Sequence, residues 1–294
     1  MIPAKYGRQL TIGEAAVSWS LRHLPIKHGT HRLLDRIRPK PSFEGIVACN
    51  FHGKTLAIDI SDLVGWHFLM LRGFHPEVVE TVVRFADKDA EEVFWDIGAN
   101  KGACSYQVAH ALPKCKIVAV EPQKDLIPNL SANLQVVAEG RADVFPVGIG
   151  EKPDISFLYI PKQNTGAASL LPPVEFPLES NGIEIRIETA EWVVRNSRFG
   201  WPTLVKIDVE GFEPTVIKSL LPAFESSFIK CCVFECRVSK KNGFQQILGN
   251  VANFGYKTYA IRKSIFSTWL EETSKPIDDA TDYALVHSAT ALGA

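Results

Sequence analysis

Short apolar runs alternate with helically spaced apolar positions along most of this chain. Val93-Phe94-Trp95-Asp96-Ile97 is mostly apolar, too short for a helix, and runs into a glycine-spaced turn, Gly98-Ala99-Asn100-Lys101-Gly102. The pattern predicts a buried strand, a tight turn and an amphipathic helix over 103–110. A second strand over 116–121, a helix over 126–137 and a third strand over 143–147 follow. The order β-α-β-α-β is the first half of a doubly wound sheet. Residues 155–160 and 183–188 then alternate with period two and predict an antiparallel pair. Between them runs a long loop through 164–173, of the kind that is usually functional or disordered. Crossovers resume with a strand over 203–208, a helix from Pro214 through Leu221, a strand over 230–235 and a helix over 243–254. Strands over 256–261 and 283–286 bring the sheet to about seven.

Upstream, residues 12–21 and 31–37 have helical spacing, and 45–51 with 54–59 flank His52-Gly53 as a hairpin. An apolar stretch covers 65–71, and Pro76 opens a helix through Phe85. The division is an N-terminal helical and β-hairpin extension over 1–90, flanking or lidding the site, and a cofactor-binding domain over 91–294. Arg32, Arg36, Arg38 and Lys40 read as a solvated helix face.

Composition narrows the class. The chain has 294 residues, is 46% hydrophobic and carries a formal net charge of −1. A sizeable core is expected, and neither nucleic acid nor an anionic membrane is called for as the main partner. The six cysteines include no Cys-x-x-Cys pair and read as buried thiols. With no membrane-length apolar segment and no basic-then-apolar leader, the expected compartment is the cytoplasm. Trp19, Trp66 and Phe68 are core or interface residues, which leaves self-association open.

The chemistry gathers where acids fall. Asp96, Glu121, Asp208 and Glu235 each close a strand, and ligands bind outside the carboxyl ends of such strands. A lone strand-end acid is more often a helix cap; four in one sheet suggest a site that tolerates positive charge and hydrogen-bonds hydroxyls. Glu121 lies about twenty residues past the turn, where a ribose-binding carboxylate belongs. Backbone N–H groups at the helix start are expected to face the ligand, with Gly102 allowing close approach. S-adenosylmethionine, cationic at sulfonium and ammonium and bearing two ribose hydroxyls, fits better than NAD. The turn reads Asp-x-Gly-x-Asn-x-Gly, not Gly-x-Gly-x-x-Gly, and an acid immediately before it opposes a pyrophosphate. An NAD-dependent oxidoreductase and a binding module without chemistry are the alternatives. Asp208, Glu210 and Glu235 are hard oxygen ligands suited to Mg²⁺, but no metal is assigned. His52, His67 and His75 could offer an imidazole base and read as surface or turn residues.

Asp96-Ile97-Gly98-Ala99-Asn100-Lys101-Gly102, Glu121-Pro122 and Lys206-Ile207-Asp208-Val209-Glu210-Gly211-Phe212-Glu213 together resemble the FkbM-type methyltransferases. The stretch from Asn164 to Ser169-Leu170 resembles that family's Ser-Leu loop, while Thr189-Ala190 stands where the family often has paired acids. The resemblance implies a Rossmann-like class I methyltransferase fold: an α/β architecture with a seven-stranded, mostly parallel sheet, helices on both faces and a reversed last strand. It implies S-adenosylmethionine as cofactor and methyl transfer to oxygen on a hydroxylated small molecule, a sugar or secondary metabolite. It places Asp96, Gly98, Asn100 and Gly102 at the methionine end, with Ala99 and Ser105 beside them. Glu121 and Pro122 would lie at the ribose, Val147 and Gly148 at the adenine, and Asp208 near the transferred methyl. Asn164, Ser169 and Leu170 would form a substrate loop. Asp208 is the expected proton acceptor or hydroxyl-orienting group, with Glu210 and Glu235 behind it and Lys206 as charge partner.

Overall fold

The computed structural model describes residues 10–37, 45–160, 168, 170, 182–236, 241–278 and 280–290. The chain opens with α1 (Ile12–His23) and α2 (Thr30–Ile37). Thr11 starts α1 through a capping box with Glu14. The hairpin follows as β1 (Ile46–Phe51) and β2 (Lys54–Asp59), paired antiparallel. His52 and Gly53 both have positive φ, 49° and 82°, the backbone hand that matches strand twist in a two-residue turn. The apolar stretch near 65–71 is the helix α3 (Leu63–Leu71), capped by the Asp62 side chain. Trp66, Phe68, Leu69 and Met70 are all buried, so it has no polar face for its periodicity to reveal. Next comes α4 (Pro76–Arg84).

The first crossovers run β3 (Val93–Ile97), α5 (Ala103–Ala111), β4 (Lys116–Val120), α6 (Ile127–Ala138) and β5 (Ala142–Phe145). The third strand was expected to reach Val147. Pro146 has no N–H for the ladder and ends it early. The chain then changes sheet as β6 (Gly148–Ile149), β7 (Asp154–Leu158) and β8 (Ile183–Glu188), in the order β6-β8-β7. The remaining elements are α7 (Ala190–Asn196), β9 (Leu204–Ile207), α8 (Glu213–Ser219), α9 (Leu221–Glu225), β10 (Cys231–Glu235), α10 (Lys241–Val251), β11 (Tyr256–Lys263), β12 (Thr268–Glu272) and β13 (Asp282–His287).

The central sheet has the order β12-β11-β13-β10-β9-β3-β4-β5. Strands β10, β9, β3, β4 and β5 are parallel neighbours, and β13 runs antiparallel to both β10 and β11. These are the seven expected strands with the last one reversed; β12 adds an eighth, antiparallel edge. Its pattern was not legible because no residue of this short edge strand is fully buried.

Alternation along each strand feeds two cores. Phe94, Ile117, Ala119, Cys231 and Val233 face one cluster; Trp95, Val118, Val120, Cys232 and Phe234 face the other. The first cluster runs without a break from Leu21 and the hairpin to Val286, so the N-terminal helices share the sheet's core. Trp66 and Phe68 belong to it, whereas Trp19 is exposed. All six cysteines are buried free thiols. Among the described residues, no helix is long and apolar enough to cross a membrane.

Candidate active site

A cavity of about 360 Å³ opens at the carboxyl edge of the sheet, within the range of small-molecule sites. The turn after β3, the end of β4, the segment 147–149 and the ends of β9 and β10 wall it. Val64, Phe74, His75 and Val78 from the N-terminal segment, Leu158, Ile185 and Ile187 from β7 and β8, Leu170 and Asp282 from β13 also line it.

Beneath the turn lies a buried ionic knot. Asp96 is fully buried and accepts the Ser105 N–H and Oγ–H at 3.1 and 2.7 Å, so it caps the first turn of α5. Lys206 Nζ lies 3.1 Å from the other Asp96 oxygen, donates to the Gly98 carbonyl at 2.7 Å and stands 3.6 Å from Asp208. Burial alone would lower the Lys206 pKa. Asp96, then Asp208, outweigh it and hold the ammonium above the ordinary lysine value.

The turn spends its donors on itself. Gly98 and Ala99 N–H donate to the Val120 carbonyl, Asn100 N–H to Glu121 at 2.7 Å and Gly102 N–H to Ala99. Those four N–H groups are therefore engaged, and the head of α5 meets the cavity through Ala103 and Cys104. Gly98 has φ 75°, and a Cβ on it would lie 1.9 Å from the Asp208 carbonyl oxygen. Only glycine lets the turn cross so close to the end of β9. A Cβ on Gly102 would lie 2.5 Å from Leu130 and 2.6 Å from the Tyr106 ring.

Glu121 is 3% exposed. Its two oxygens accept the Asn100 and Gln123 N–H groups at 2.7 and 2.9 Å. Burial pushes its pKa up to about 7, against the pull of those two N–H bonds. A buried carboxyl with spare lone pairs on the cavity wall suits hydroxyl donors such as a ribose diol.

At the opposite end, Asp208, Glu210 and Glu235 bring one oxygen each within 4.8 Å of one another. Glu210 sits in the left-handed region at φ 51°, next to Gly211 at φ 110°. Glu213 accepts the Gly211 N–H at 2.9 Å and so holds this turn at the head of α8. The trio is an acidic rim that could hold a hydroxyl, an amine or a cation.

Of the residues singled out from sequence, Gly98, Ala99, Asn100, Glu121, Pro122, Val147, Gly148, Leu170, Asp208, Glu210 and Glu235 line this one cavity. Asp96, Gly102 and Ser105 do not; they shape the turn from below. Asn164 and Ser169 lie outside the described residues. Of the three histidines, His52 stacks on His110 and His67 bonds Asp35 at 2.7 Å, while His75 reaches the cavity. His75 is one of the three histidines that could offer an imidazole base, and Asp282 carries no sequence signal for the site. Asp282 is the reversed strand's partner to Glu235, a pairing visible only once β13 lies beside β10.

Residues 96–258 match the profile of the methyltransferase FkbM domain. The hexuronic acid methyltransferase AglP of Haloferax volcanii is 27% identical over 166 residues, 55% of this chain and 62% of that protein. The chain thus spans less than two thirds of the length of that curated relative. Among solved structures, an S-adenosylmethionine-dependent O-methyltransferase from Thermotoga maritima aligns with a TM-score of 0.41 at 12% identity, over 86% of this chain and 81% of the other. M. jannaschii TYW2 in complex with AdoMet aligns at 0.40 and 12%, over 84% and 89%.

Proposed function

We propose, from the premise that this chain belongs to the FkbM methyltransferase family, that it methylates a hydroxyl oxygen of a sugar or similar polyhydroxylated small molecule. Methyl transfer and S-adenosylmethionine as donor follow from the family. The choice of oxygen, the acceptor class and the roles of individual residues are our reading.

One observation carries it: a single cavity has a buried carboxyl, Glu121, on one side and the rim of Asp208, Glu210 and Glu235 on the other, with the Gly98 turn between. The residues fit the donor. Glu121 would take the ribose hydroxyls, Gly98, Ala99 and Asn100 the methionine end, and Val147 and Gly148 the base. Asp96, Gly102 and Ser105 would support that wall. Bound there, S-adenosylmethionine supplies an electrophilic methyl on a sulfonium leaving group.

The protein's share of the work is alignment and proton removal. Aligning the acceptor can lower the barrier by roughly 7–11 kcal/mol, and a positioned base adds about 10²–10⁴-fold. Asp208 and Glu210 orient the hydroxyl, with Lys206 fixing the Asp208 carboxylate from beneath. The N-terminal segment contributes Val64, Phe74 and Val78 to the acceptor side, and the substrate loop contributes Leu170. AglP is named for hexuronic acid, which supports a sugar. Carboxylates crowd this rim, so the sugar would present a hydroxyl to it rather than its own carboxylate.

The test is label transfer from S-[methyl-¹⁴C]adenosylmethionine to methyl glycosides, methyl glucuronides and amino sugars, alongside calorimetric binding of the donor. Ether-linked label on a glycoside is expected. Tight donor binding with no labelled hydroxyl product would return the protein to the binding-only reading.

A further inference from the structure

We propose that His75, backed by Glu77, takes the proton from the acceptor hydroxyl. This rests on the reading of the site as a hydroxyl methyltransferase, but its residues lie on α4, outside the stretch 96–258 that matches the family.

His75 lines the same cavity wall as Asp208 and Asp282, and 42% of its side chain is accessible. It is the N-cap of α4, at φ 46° and ψ 58°, yet its side chain makes no capping bond. A non-glycine residue in the left-handed region stores strain that the surroundings must hold. Here the strained residue leaves its ring unspent on the helix end and places it at the cavity.

Behind the ring stands a fixed carboxylate. His75 Nδ1 lies 3.7 Å from Glu77 Oε1, and Glu77 is 4% exposed. The same Glu77 oxygen pairs with Lys263 of β11, and His28 Nδ1 lies 3.4 Å from its other oxygen. Burial would raise the Glu77 pKa, but the His75 ring and the Lys263 ammonium beside it hold it well below the usual carboxylate range. An ionised Glu77 at Nδ1 favours the tautomer with its proton there and leaves the Nε2 lone pair to accept another. The groups facing His75 are Glu77 on α4, Asp208 after β9 and Asp282 on β13. Lys263 and His28 reach it through Glu77. Burial lowers the His75 pKa, but Glu77, Asp282 and Asp208 prevail and lift it above 6.5.

An imidazole is the better base here. A carboxylate of ordinary pKa near 4 is a weak proton acceptor, and efficiency peaks when the base's pKa lies near working pH. Asp208 is left to orient. The step balances: the acceptor oxygen forms its bond to the methyl carbon and the C–S bond breaks, with its electron pair passing to sulfur. The hydroxyl proton moves to Nε2. The imidazolium, paired with Glu77, then releases that proton to solvent.

The experiment uses the full chain with S-adenosylhomocysteine bound and ¹⁵N-labelled histidine, together with label transfer to the methyl glycoside panel. Asn is tolerated in the left-handed region, so His75→Asn keeps the turn. It should lose about 100-fold or more in kcat while S-adenosylhomocysteine affinity is unchanged. The wild-type rate should rise with pH through a value above 6.5, and Glu77→Gln should move both that limb and the His75 resonance to lower pH. Transfer by His75→Asn at the wild-type rate, or a persistent pH limb in it, overturns the proposal. Should the wild type methylate no hydroxyl probe, the acceptor reading falls. The resonances still judge the pair: a His75 that titrates at its ordinary value and ignores Glu77→Gln sinks it.

Discussion

Two aspartates end neighbouring strands on the same edge, and their fates differ. Asp96 closes β3 with no exposed surface, both oxygens engaged by Ser105 and Lys206. Asp208 follows β9 with 35% of its side chain exposed, touches the same lysine at 3.6 Å and faces the cavity. Residue type and cationic partner are shared; position and burial are not, since Asp96 pairs with Lys206 inside the ladder and Asp208 lies beyond its end. Asp96 spends its lone pairs on Ser105 and Lys206 beneath the turn, whereas Asp208 keeps surface on the cavity for a ligand.

The sharpest way to break this contrast is to remove the shared cation. Lys206→Met strands Asp96 as a buried, half-compensated charge. Stability measured by urea unfolding should fall by about 3–5 kcal/mol, the cost of breaking a buried pair. An equal loss from Asp208→Asn would mean that both acids are structural. Instead, Asp208→Asn should leave stability within about 0.5 kcal/mol, as for other substitutions outside the core. Its methyl transfer should drop about 10²-fold, the contribution of a positioned polar group at the reacting atoms.

Gly98→Ala tests the contact that sets the two strand ends side by side. A Cβ 1.9 Å from the Asp208 carbonyl, at φ 75°, forces the turn away from β9. About 1–3 kcal/mol of stability should be lost, with weaker donor binding by calorimetry.

Glu121 sharpens the comparison through pH. Its folded pKa of about 7 lies above the ordinary 4.5, so the folded protein holds this proton more tightly than the unfolded chain does. The free protein should therefore lose stability as pH rises from about 4.5 to about 7 and level off above. Glu121→Gln should remove that slope. Donor affinity should move the other way, rising about tenfold from pH 6 to 8 as the carboxylate becomes free to accept ribose hydroxyls; in Glu121→Gln it should be flat. The smallest effect is expected from EDTA: with Lys206 already beside Asp208, turnover should not change. A loss restored by Mg²⁺ would make the Asp208, Glu210 and Glu235 cluster a metal site.

Much of this was legible beforehand for a local reason. The runs at 93–97, 116–120 and 204–207 are short and apolar, the acids at their ends are adjacent in sequence, and a parallel sheet aligns such ends by construction. The β12 edge and the helix α3 were not legible, because half-exposed strands and helices apolar on every face both lose the periodicity that announces them. The spacing gives Gly102 a close approach to the strand or a ligand; its contacts with Tyr106 and Leu130, on α5 and α6, depend on how those helices pack. His75 read as a turn residue because Phe74-His75-Pro76 is a turn. What brings it to the cavity is the docking of α4 against β9, β10 and β11.

By itself the sequence determined the order of strands and helices, the glycine turn after β3, the carboxylates at the strand ends and the family, because each is written in neighbouring residues. The tertiary structure alone decided that Asp96 is sealed while Asp208 is open. It alone decided that the N–H groups of Gly98, Ala99, Asn100 and Gly102 are engaged, and that His75 and Asp282 enter the site. Those outcomes depend on which surfaces meet across long stretches of chain, and burial is a property of the meeting rather than of either segment.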